Sequence, residues 1–75
     1  MKEPSTPQEW QHVVNLCEAW LMIDSAKAYG LVKGGPPVNV ERASGLIEQG
    51  RERGFYPEAA IVDAMIKTLV AGEKV

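Results

Sequence analysis

The residues best equipped for chemistry lie close together near the start of the chain: Glu9, His12 and Cys17. Glu9-x-x-His12 places a carboxylate and an imidazole on one helical face, as one quarter of a di-iron carboxylate site does. Such a site needs a second pair and further glutamates, and the chain has one histidine. A metal could then be held only across a dimer, so the sequence predicts no metal and no cofactor. Cys17 lies five residues after His12, about 140° around a helix, so the thiol and the imidazole do not meet to form a nucleophile and base. Cys17 also falls on an apolar stripe, where burial raises a thiol pKa and makes it inert. Ser5, Ser25 and Ser44 have no second histidine as base. The residues therefore point away from an enzyme.

Phosphate chemistry fares no better. Gly34-Gly35-Pro36-Pro37 follows no strand, lacks a Lys-Ser/Thr successor, and ends in prolines without the amide donors that cradle phosphate. The formal net charge is −2 and the sequence pI about 5.3, which gives no cationic field to attract a nucleic-acid backbone. A helix-turn-helix DNA reader across the second and third helices is the rival reading, with Gly54 in the turn. Its reading helix would open with Glu58 and carry Asp63 against Lys67, the wrong charge for a major groove.

What remains is contact chemistry. Trp20, Met22 and Ile23 form an aromatic-and-methionine group, with Tyr29 beyond it, and such groups favour protein partners when exposed. These four residues are the predicted protein-binding set. The competing assignment for Trp20 is the core.

The elements that position these residues are helices. Thr6-Pro7-Gln8-Glu9 has the form of a capping box, with Pro7 at the first helical position. From it Trp10, Val13, Val14, Cys17 and Leu21 recur at helical spacing, and Leu16, Trp20 and Ile23 make a second stripe. Ala19 to Ile23 is apolar all the way round, which predicts a helix covered on two sides. Gly30 or Gly34-Gly35 ends it, and Pro36-Pro37 forbids continuation. Helix 1 is expected over 7–32, after an unstructured arm over 1–6.

Asn39 caps a second helix over 39–53, whose stripe of Val40, Ala43, Leu46, Ile47 and Gly50 opposes a charged face. Gly54 followed by Phe55 predicts a Schellman ending. Pro57 at a first-turn position opens a third helix over 57–71, with an apolar surface of Ala60, Ile61, Val62, Met65, Ile66, Leu69 and Val70 that is wider than one stripe. No convincing strand pattern occurs. The expected fold is all-α: a single three-helix domain over 1–75, with helices 2 and 3 as an antiparallel hairpin packed on a long helix 1.

The segment from Ala26 to Ala60 resembles one copy of the Sel-one-like repeat, a short relative of the tetratricopeptide repeat. The likeness lies in Ala26 and Tyr29, the glycines Gly34 and Gly35, the entry Asn39-Val40-Glu41-Arg42-Ala43, then Gly54, with Ala59 beginning the next helix. Gly50 and Arg51 stand where the family has paired alanines. The resemblance implies two antiparallel helices and a protein-interaction scaffold with no chemistry of its own.

Composition bounds the rest. Of 75 residues 45% are hydrophobic and 24% charged, the balance of a folded chain whose core is small enough to welcome a partner. One cysteine excludes an intrachain disulfide and a thiolate zinc site and fits a reducing compartment. With no signal-peptide pattern and no membrane-length apolar run, the expected address is cytoplasmic. The function expected is a protein-protein interaction module, a small regulator or inhibitor that binds a larger protein or itself as a homodimer.

Overall fold

A computed structural model describes residues 4–32 and 37–72 of the chain. They form three helices, α1 (Pro7–Ala28), α2 (Val40–Glu52) and α3 (Ala59–Gly72), with no strand among the described residues. The all-α three-helix expectation is met.

Each helix boundary has a local cause. Glu9 N–H donates to Thr6 Oγ1 at 3.1 Å and Thr6 N–H donates to Glu9 Oε1 at 3.2 Å, closing the capping box. The Ser5 hydroxyl adds a second bond to the same carboxylate at 3.0 Å, and Pro4 is buried. The arm expected over 1–6 is thus tied down from Pro4 onward, while residues 1–3 lie outside the described residues.

Helix α1 ends at Ala28, short of the expected 32. Gly30 takes φ 75°, Leu31 N–H reaches Ala26 O at 2.9 Å and Gly30 N–H reaches Lys27 O at 3.0 Å, a complete Schellman closure. Of the two glycine signals for this end, Gly30 is the one used; Gly34, Gly35 and Pro36 lie outside the described residues. Asn39 Oδ1 caps α2 through Arg42 N–H at 3.0 Å. Helix α2 closes like α1, with Gly54 at φ 87° and Phe55 N–H on Gly50 O at 2.9 Å. The expected Schellman ending is present. Helix α3 starts at Ala59, two residues later than expected, because the first helical bond runs from Val62 N–H to Glu58 O. Pro57 therefore precedes the helix.

Helices α2 and α3 both pack on α1 and, among the described residues, do not contact each other. The expected packing of both shorter helices on a long α1 is met, and α1 lies in the middle, so α2 and α3 are joined across it rather than through a contact of their own. Helix α2 runs antiparallel to α1, since its last turn, at Gly50, meets Trp10 and Val14 near the start of α1. Helix α3 runs the same way as α1: Glu58, just before its first residue, bonds Asn15, and its Ile66 shares a cleft with Met22 a further two turns along α1.

The core between α1 and α2 is Trp10, Val13, Cys17, Ala43, Leu46 and Ile47, with Trp20, Leu21 and Phe55 half-buried against it. Gly50 permits the close approach of the two helices, since a Cβ there would run into Val14 Cγ2. At the rim, the Arg53 guanidinium lies over the Trp10 ring, 4.4 Å from its centroid.

Candidate functional site

The second face of α1 carries Asn15, Ala19, Met22, Ile23 and Ala26, which step by three and four residues. Asn15 opens that face and is 2% exposed. Its Oδ1 accepts Glu58 N–H at 2.8 Å, and its Nδ2 donates to Glu58 Oε1 at 2.9 Å. Beside it Gln11 Nε2 donates to Tyr56 O at 2.8 Å. These bonds fasten the α2–α3 connection and the first turn of α3 to α1. Ala19 and Ile23, further along this face, are buried. Apolar residues all round Ala19 to Ile23 reflect cover on two sides, by α2 and by α3, as the sequence predicted, with Met22 left half-exposed between α1 and α3.

Among the described helices, α3 is held by α1 and not by α2. Val62 is buried, Ile61 is 43% exposed, and Met65, Ile66, Leu69 and Val70 are half-buried. Between α1 and α3 runs a cleft of about 430 Å³ lined by Glu18, Met22, Pro57, Ala59, Val62, Asp63 and Ile66. Met22, at 50% exposure, forms much of its α1 wall. Two carboxylates edge the otherwise apolar lining. Asp63 is paired with Lys67 at 3.1 Å, both side chains well exposed. Glu18 also lines a second cleft, between α1 and α2, beside Leu21, Ile47, Glu48 and Arg51.

The four residues predicted to bind protein do not form one patch. Ile23, 1% exposed, belongs to the core, because its face of α1 carries α3. Trp20 is half-buried at a cleft of about 320 Å³ formed with Cys17, Pro37, Asn39, Arg42, Ala43 and Leu46. Its indole N–H is the one buried side-chain polar atom without a hydrogen-bond partner among the described residues. Tyr29, the C-cap of α1, is 80% exposed. Met22 alone of the four stands in the α1–α3 cleft. Its partners there, Val62 and Ile66, were legible only as surplus apolar surface on helix 3. Asn15 carried a signal that was passed over: a polar side chain between Val14 and Leu16 within the two apolar stripes.

The residues considered for chemistry are placed elsewhere. Bonds from Thr6 and then Ser5 hold the Glu9 carboxyl below its ordinary pKa, so this group serves the helix cap. His12 is exposed one turn away. No group of three or more His, Cys, Asp and Glu side chains converges among the described residues. Cys17 is buried and free; burial pushes its thiol pKa up, and Arg42 offsets this only in part. The helices that a helix-turn-helix would pair, α2 and α3, do not contact each other among the described residues. No helix among the described residues is long and apolar enough to cross a membrane.

In comparisons with known proteins, no family model, no curated protein and no solved structure matches this chain.

Proposed function

We propose that this chain is a protein-binding module, a small regulator or inhibitor that acts by seating another protein, or a second copy of itself, on the α1–α3 surface. The observation that carries the reading is the one-sided support of α3: among the described residues the helix packs on α1 and not on α2, so Met22 and Ile66 flank a cleft that nothing in the described chain fills. Burial of apolar area at about 25 cal/mol per Å² would drive association there. The antiparallel α1–α2 pair and the small residues Ala43 and Gly50 at its contact are compatible with a Sel-one-like scaffold. The single buried thiol fits a cytoplasmic address.

The test compares the natural chain with Met22→Lys, and with Ile61→Lys as a control on the part of α3 turned away from the cleft. Each is tagged, expressed in the native host and recovered, and its molar mass is followed by light scattering across a concentration series. The expected result is a co-recovered protein, or a doubled mass, that is lost with Met22→Lys and kept with Ile61→Lys, all three chains being equally helical. A chain that stays monomeric and recovers nothing sensitive to Met22→Lys overturns the reading.

A further inference from the structure

Resting on that reading, we infer that the segment seated in the α1–α3 cleft is a basic amphipathic helix, its apolar stripe against Met22, Val62 and Ile66 and a lysine or arginine of its own beside Glu18. Three features of the cleft select this partner.

First, its walls are two helices running the same way, an apolar trough suited to a rod that presents anchors at helical spacing. An extended peptide adding to a sheet needs a free strand edge, and none exists among the described residues. A polyproline segment needs an aromatic-lined groove, and no aromatic lines this one.

Second, the ionisable side chains that line the cleft are both acidic, with Lys67 paired to one of them at its edge. Glu18 and Asp63 are its ionisable lining residues, with no lysine, arginine or histidine among them. A phosphorylated or acidic segment, a nucleic-acid backbone or an anionic membrane would find no cation in that lining to hold it.

Third, the two carboxylates are differently committed. Asp63 already holds Lys67, whereas the Glu18 side chain makes no hydrogen bond or ion pair among the described residues. Glu18 is half-buried on α1 where the two clefts adjoin, so a cation there is drawn toward a carboxylate the fold does not otherwise use. The net charge of −2 supports the same choice of partner at longer range.

The experiment titrates the whole chain, methyl-labelled, with two designed helical peptides that share one leucine stripe. One carries lysine at every flanking position and the other glutamate. The lysine peptide is expected to shift the methyl signals of Met22, Val62 and Ile66, to bind about fivefold more weakly to Glu18→Gln, and to weaken further with added salt. The glutamate peptide is expected to bind only the Glu18→Lys variant. Because the Glu18 side chain makes no bond among the described residues, both variants are expected to keep the natural unfolding midpoint. Equal binding of the two peptides to the natural chain, or shifts confined to α2, overturns the inference. Self-association through Met22 and Ile66 that excludes both peptides also overturns it, while leaving the module reading intact. If neither peptide binds and no association depends on Met22, both fall.

Discussion

Asn15 and Glu58, 43 positions apart in sequence, are joined by a reciprocal pair of hydrogen bonds. Glu58 N–H donates to Asn15 Oδ1 at 2.8 Å, and Asn15 Nδ2 donates to Glu58 Oε1 at 2.9 Å. The amide side chain thereby does for α3 what a cap residue usually does from within its own helix: it accepts from a backbone N–H at the helix start. Since α3 has no contact with α2 among the described residues, this latch and the apolar face of α1 hold it in place. Asn15→Leu keeps the branching of the side chain but leaves the Glu58 N–H without its acceptor, and should lower stability by about 1–3 kcal/mol. Amide exchange should quicken across α3 well before it does across α2. Equal loss of protection in both helices would show that Asn15 supports the whole core and not the α3 junction.

Gly50 decides how closely α2 approaches α1. In an exposed helix interior, Gly→Ala is stabilising by about 1 kcal/mol from propensity alone. At this position the added methyl runs into Val14 Cγ2, on a side chain that is fully buried. Gly50→Ala should therefore destabilise, by about 1–3 kcal/mol as for other overpacked cores. Combining it with Val14→Ala should cost less than the sum of the two single changes, because the second makes room for the first. Denaturant unfolding of the four chains measures this; strict additivity would mean that the methyl is accommodated elsewhere.

Much of this fold was legible because its signals are local. The Thr6–Glu9 box, the Asn39 cap and the Gly54-Phe55 ending each close through bonds spanning three to five residues, so the sequence alone specifies them. The end of α1 was less legible, since two glycine signals competed and the outcome turned on whether Leu31 N–H could reach back to Ala26 O. Which chain covers α1 was less legible, for a different reason. Apolar residues all round Ala19 to Ile23 announced two covered faces, but nothing local tells whether the cover comes from the same chain or another. Both covers are internal, which is why Ile23 is core. The apolar surplus falls instead on α3, where the sequence showed a stripe that was too wide without showing which part of it would remain open.

The Cys17 thiol gives a prediction with a definite sign. Its pKa is raised in the folded chain by burial, with Arg42 opposing in part. Below the ordinary thiol value both folded and unfolded chains hold it neutral, so its contribution to stability is fully present. As pH rises through that value the unfolded chain loses the proton first, and stability falls until the folded chain ionises as well. Unfolding midpoints measured from neutral to alkaline pH should decline in the natural chain and decline less in Cys17→Ala. Native labelling by a thiol reagent should be slow, and should accelerate in denaturant. Rapid labelling of the folded chain, or identical pH profiles for the two chains, would contradict the buried placement.

The central claim is that the α1–α3 cleft, and not the general apolar surface of α3, receives another protein. Photo-cross-linking in the native host tests it most directly, with a photoreactive residue placed in turn at Met22, Ile66 and Ile61. Met22 and Ile66 line the cleft, while Ile61 is comparably apolar and exposed but outside it. The account predicts one discrete adduct, of the same mass, from Met22 and from Ile66, and none from Ile61. Adducts of equal yield from all three positions, or from none of them in a folded chain, would contradict it.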